Sequence, residues 1–128
     1  MTPPLQQGRI VWVELLDPQG RNPKVRPAVI LTATPEIRED GEVVVAAVTT
    51  QLDMAAAEVC VELPWQRGGH PRTKLNSRNV VVCTWLVTIR VSEIRGTAGL
   101  VPLPQMIRIL EVVRLTSDPP PVPPAPTS

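Results

Sequence analysis

A mainly β fold, a small antiparallel barrel or curled sheet with one C-terminal helix, is the class this 128-residue sequence predicts. Three observations carry it. Short runs rich in Val, Ile and Thr recur between clusters of Gly, Pro, Asn and Asp. No strand–helix–strand alternation interrupts them. A single stretch of helical periodicity appears, and it lies near the C-terminus.

The elements follow in order. Gly8–Leu16 alternates, with Ile10, Trp12 and Glu14 on one side and Val11, Val13 and Leu15 on the other, so it predicts a strand. Asp17-Pro18-Gln19-Gly20 is turn chemistry that Asn22-Pro23 continues, giving a loop with Arg21, Lys24 and Arg26. Pro27–Leu31 predicts a second strand, with proline at its first position, where a missing N–H is tolerated. After the turn at Glu39-Asp40-Gly41, Glu42–Thr50 is apolar without alternation, as in a strand buried on both faces. Ala57–Leu63 alternates, Val59, Val61 and Leu63 facing inward and Glu58, Cys60 and Glu62 outward. Pro64–Ser77 is a polar loop with Gly68-Gly69 at its tip, and Asn79–Ile89 predicts two short strands meeting at a bend near Trp85. A short strand around Leu100-Val101 then closes the sheet. Pro104–Leu115 brings Met106, Ile109, Leu110 and Val113 to one helical face, with Pro104 suited to the first turn. The chain divides into a short extension at 1–7, one domain at 8–117 and a tail, Asp118–Ser128, with six of the 16 prolines, expected to be extended or disordered, the alternative being a ligand for a proline-binding domain.

Composition excludes several functions. Three Trp without Tyr or Phe leave no aromatic platform on which to stack bases, and a net charge of +1 rules out a strongly basic nucleic-acid wrapper. No apolar run spans a bilayer and no secretory signal opens the chain, so a soluble, cytoplasmic protein is expected, with Cys60 and Cys83 as buried thiols. One His and two Cys make no four-ligand zinc site, and no Gly-rich phosphate loop precedes a helix. His70, in Gly-Gly-His-Pro, is expected to be a loop residue.

Charge is nevertheless concentrated. No acidic residue lies between Glu62 and Glu93, a stretch that holds Arg67, Arg72, Lys74, Arg78 and Arg90; a second group is Arg21, Lys24 and Arg26. If the two loops share one side of the barrel, they form a phosphate-attracting groove; otherwise they are solvated loops.

Four segments, in order, resemble the MazF/PemK (Kid) toxin family. Gly8-Arg9-Ile10-Val11-Trp12-Val13 is similar to "GDVWxV", Lys24–Leu31 to "xxRPavvl", Val45–Thr50 to "xxiTt", and Leu75–Cys83 to "L-(x)-x-S-x-v-l/c". The resemblance implies a strongly curled antiparallel β-barrel with a C-terminal helix, a homodimer, and a metal-independent endoribonuclease without cofactor that cuts single-stranded RNA and is neutralised by an antitoxin protein. It places the catalytic Arg on Arg26 and the catalytic Thr on Thr49, with Thr50 beside it. RNA-binding positions are then Arg21, Lys24, Thr50, Arg67, Arg72, Lys74 and Arg78. These residue types suit the chemistry. RNA carries its own nucleophile in the 2′-hydroxyl, so attack needs alignment, which an arginine fork and a threonine hydroxyl on the phosphate supply.

The sequence departs from the pattern after Cys83. Where the family continues "-(d/e)-Q-i-R-T-(i/v)-d", this chain has Thr84–Arg90, with Trp85 at the Gln position and Val87 at the Arg position. Trp85 is expected either to pack in the core, to stack a base or to fill a dimer interface. The departure leaves a second reading open, a catalytically silent barrel that binds RNA or protein.

Overall fold

The computed structural model describes residues 4–117. Six strands form one antiparallel sheet: β1 (Arg9–Leu15), β2 (Lys24–Ile30), β3 (Glu42–Thr49), β4 (Cys60–Glu62), β5 (Val80–Arg90) and β6 (Gly96–Leu100). Their order is β4-β5-β3-β2-β1-β6, an open half-barrel whose edges are β4 and β6. The helix α1 spans Leu103–Thr116 with Pro104 in its first turn, where the absent N–H has no intrahelical partner to lose.

The two faces of the sheet build two cores. On one, Ile10, Val29, Ala46, Val48, Val81 and Cys83 pack under Met106, Ile109 and Val112 of α1. Leu110 and Val113 are partly buried against the same cluster, so the predicted apolar face is right and Val112 joins it. On the other face no helix intervenes. There the curl of the sheet brings Val11 and Val13 of β1 together with Val45 and Ala47 of β3 and Trp85 and Ile89 of β5. β3 contributes to both cores, which explains its unbroken apolar run.

Several expectations needed correction. β2 begins at Lys24, so Pro27 lies inside the strand. Residues 57–59 form a 3-10 turn, the strand that follows starts at Cys60, and that residue is half-buried at the rim of the second core instead of facing outward. β5 is one continuous strand, yet the expected bend exists as a register shift. Ala46 pairs with Leu86 and Val48 with Val81, so Ala47 alone spans the four residues Val82–Trp85. That excess reverses the alternation: Val80 and Val82 face the second core before it, Trp85, Val87 and Ile89 after it.

The edge left by β6 is covered by the loop before β5. Gly99 N–H donates to the Thr73 carbonyl and Leu100 N–H to that of Arg72, at 3.0 and 2.8 Å. The loop backbone lies so near that a Cβ on Gly99 would stand 1.8 Å from the Arg72 oxygen. Only glycine permits that approach. β6 therefore starts at Gly96, earlier than the sequence implied, and contains both glycines.

Candidate functional site

Pro27 opens the sheet. Across the β2–β3 ladder, Leu31 N–H donates to the Val44 carbonyl at 2.8 Å. Residues two apart on a strand present their polar groups in the same direction, so position 27 also faces β3. Proline has no hydrogen to give there, and the paired register ends at Ala28–Ala47. Extending that register by two residues puts Arg26 directly opposite Thr49, with no ladder between them. Both follow the face of Ala28 and Ala47, hence the second core.

The space between the separated strands is a cavity of about 770 Å³. From β2 it is lined by Lys24, Arg26 and Pro27, from β3 by Val48 and Thr49, and from the following loops by Thr50, Gln51, Met54, Lys74 and Asn79. Thr49 is buried, and its hydroxyl oxygen accepts the Gln51 N–H at 3.0 Å, which leaves its own hydrogen to donate. Arg26 is half-buried, its guanidinium carbon 5.1 Å from the centre of the Trp85 ring. That separation is within cation–π range. Trp85 thus packs in the core while facing the cavity's arginine.

Among the described residues, the two buried side-chain polar atoms without a hydrogen-bond partner are Arg26 Nε and Asn79 Oδ1. Both residues line this cavity. Asn79 directs its amide hydrogens to the Ser77 and Leu63 carbonyls, at 3.0 and 3.5 Å, so the oxygen is what remains unused. Buried polar atoms are normally paired, and the two exceptions here belong to residues of one cavity.

The rim is held by short-range bonds. Asp17 accepts the N–H groups of Gln19 and Arg21 and the Asn22 side-chain amide, at 3.0, 2.8 and 2.8 Å. The Arg21 backbone bond is the largest of the contacts that hold its carboxyl below the ordinary range. On the other side, His70 Nδ1 accepts the N–H groups of Arg72 and Thr73 at 3.1 and 3.3 Å, so His70 is a loop-shaping residue. The same turn holds Lys74 in the left-handed conformation (φ 65°) and places it on the cavity lining. A non-glycine residue held there is uncommon and costs energy, which the surrounding loop bonds offset.

The predicted residues therefore separate. Arg26, Thr49, Thr50, Lys24 and Lys74 line one cavity. Arg21, Arg67, Arg72 and Arg78 are exposed and off its lining; Arg78 is bonded to Glu62 at 3.2 Å. Val87 is half-buried opposite Val45, and Arg90 ends β5, away from the cavity. Asn79 and Gln51 were not singled out by the sequence. Their only signals are positions just before β5 and just after the Thr49-Thr50 pair.

Among the described residues no three His, Cys, Asp or Glu side chains gather as metal ligands, and no helix is long and apolar enough to cross a membrane.

Comparison with known proteins places this cavity in context. No curated protein matches the sequence. Among solved structures, MazF from Deinococcus radiodurans is 18% identical, with a TM-score of 0.67 over 90% of this chain and 96% of that one. An endoribonuclease in complex with its cognate antitoxin, from a mycobacterial species, is 16% identical, with a TM-score of 0.66 over 88% and 93%. The Mycobacterium tuberculosis toxin MazF-mt6 is 24% identical, with a TM-score of 0.60 over 84% and 94%. At these identities the likeness is one of fold, and it extends to the curled sheet and its C-terminal helix. The family model for PemK-like, MazF-like toxins matches residues 6–116, a span that contains every strand, the cavity and the whole helix. The chain belongs to the PemK-like, MazF-like toxins of type II toxin–antitoxin systems.

Proposed function

We propose that this chain is a sequence-selective, metal-independent endoribonuclease that cuts single-stranded RNA through the substrate's own 2′-hydroxyl. The observation that carries the reading is Arg26 facing Thr49 across the gap that Pro27 leaves in the sheet. The 2′-oxygen attacks the adjacent phosphorus, the bond to the 5′-oxygen breaks, and the products are a 2′,3′-cyclic phosphate and a 5′-hydroxyl. The attacking hydroxyl loses its proton and the leaving oxygen gains one. Arg26 grips the phosphate with its unused donors and stabilises the additional negative charge of the five-coordinate transition state. Thr49 donates its hydroxyl hydrogen to a phosphate oxygen, which fixes the in-line geometry. Lys24 and Lys74 hold the neighbouring phosphates.

Family membership and the antitoxin-bound relative support a cognate antitoxin as partner; a homodimer as the working unit is what the family resemblance implies. The binding-only alternative draws on one observation: Val87, paired with Val45, puts no charge where the family pattern has an arginine.

The test uses purified protein, single-stranded RNA and excess chelator. Cleavage with cyclic-phosphate ends, abolished by a single 2′-deoxy substitution at the cut, is expected. RNA that is bound but stays intact at high protein concentration would establish the binding module instead.

A further inference from the structure

Arg26 is held in an unusual way. Among the described residues no carboxylate pairs with it, and its buried Nε has no hydrogen-bond partner. Arginines that must keep a fixed orientation are commonly held by a carboxylate fork, but a carboxylate also cancels the charge. Here the contact that fixes Arg26 is the face of Trp85, 5.1 Å from the guanidinium carbon. An aromatic face orients the guanidinium while leaving its N–H donors and its net charge available.

This contact depends on the register shift in β5. In a regular strand Trp85 would share a face with Val81 and Cys83 and point beneath α1. Because Val82–Trp85 is bulged against Ala47, the alternation reverses and the indole emerges on the face of Arg26 and Thr49. Trp85 is itself 6% exposed and belongs to the core cluster that contains Val13, Val45 and Ile89, so its ring has little room to move. The aromatic partner of the cavity's arginine thus stands at a position where the sequence leaves the family pattern.

We propose that Trp85 is a positioning residue that presents the Arg26 guanidinium to the scissile phosphate. The inference rests on the endoribonuclease reading and deepens it. It makes the bulge at Val82–Trp85 part of the active-site architecture.

The experiment measures single-turnover cleavage of single-stranded RNA by the full chain and by Trp85→Phe and Trp85→Leu, each made with Arg26 present and as Arg26→Ala. Trp85→Phe retains an aromatic face and should stay within about threefold of wild type. Trp85→Leu should lose on the order of tenfold in the cleavage rate at saturating protein, with little change in the half-saturating concentration. In the Arg26→Ala background, Trp85→Leu should add nothing further, because the group it positions is gone. Equal losses in both backgrounds, or losses in Phe and Leu variants that merely follow their melting temperatures, would overturn the proposal. If wild type itself leaves RNA intact, the nuclease reading fails separately. The contact is then decided by Trp85 fluorescence in a Trp12→Phe/Trp65→Phe chain: an emission change on Arg26→Gln supports the Trp85 contact, and an unchanged spectrum refutes it.

Discussion

The molecule carries two groups of basic residues that look alike in sequence and differ in structure. At the mouth between β2 and β3, Arg26 is half-buried with its Nε unpaired, and Lys24 and Lys74 share the cavity that it lines. In the loop before β5, Arg67, Arg72 and Arg78 are exposed, and Arg78 is already bonded to Glu62. What sets Arg26 apart is burial; Lys24 and Lys74 are exposed like the loop arginines and differ from them in lining the cavity. A charge with water around it gains little from a phosphate that it does not already gain from solvent, whereas an unpaired donor in a preformed cavity has that interaction in reserve. The acid-free stretch thus supplies a field, and of its basic residues only Lys74 lines the cavity.

The sharpest way to break this contrast is to remove the mouth's arginine. Arg26→Ala should lower single-turnover RNA cleavage on the order of a hundredfold or more, with the melting temperature nearly unchanged; Thr49→Val should lose on the order of tenfold. Equal activity in Arg26→Ala would end the assignment of this cavity as the site.

A substitution in the loop group's own scaffold should act on folding. Gly99→Ala drives a methyl group into the Arg72 carbonyl and should cost roughly 2–3 kcal/mol, read as a lower urea midpoint with unchanged slope. Stability within about 0.5 kcal/mol of wild type would show that the loop does not cover the β6 edge as described.

Smaller effects divide the lysine from the arginines. Lys74→Ala should weaken binding of uncleavable, 2′-deoxy-substituted RNA severalfold and flatten the dependence of log affinity on log salt by about 0.7, the share of one single-strand phosphate. Arg67→Ala, Arg72→Ala and Arg78→Ala should each stay within about twofold. A larger loss from any of the three would extend the site beyond the cavity.

The smallest effects concern protonation. Burial pushes the Cys83 thiol up to about 11 from 9.0. Its folded value is raised, so the associated stability is complete below pH 9 and is lost as pH climbs towards about 11. Alkylation at pH 8 should accordingly leave Cys83 unmodified until the protein unfolds. For Asp17 the sign is opposite. Its value is depressed, so its hold on the rim loop is complete above the ordinary value of 3.8 and is lost as pH falls through the lower, folded value. Backbone resonances of Gln19 and Arg21 should shift there, with no measurable change in global stability.

Much of this was legible in the sequence. Alternation in β1, the apolar continuity of β3 and the periodicity of Met106, Ile109 and Val113 are local signals, and local signals survive folding. The resemblance named Arg26 and Thr49, and the Arg-Pro pair that carries it is also where the ladder ends. The meeting of Arg26 with Trp85 was not legible. It requires a bulge whose extra residues are defined only against Ala47, far away in the chain, and no single-strand pattern contains that reference. Asn79 was missed for a related reason: being unpaired is a property of an atom's surroundings, not of its residue type.

The gap beside Pro27 also bears on control. A cleft kept open by a hinge can be shut by pushing the hinge, but one kept open by the ring of a proline has no closed form to be pushed towards. The opening between Arg26 and Thr49 is thus covalent in origin: to close it is to change residue 27, not to move a segment.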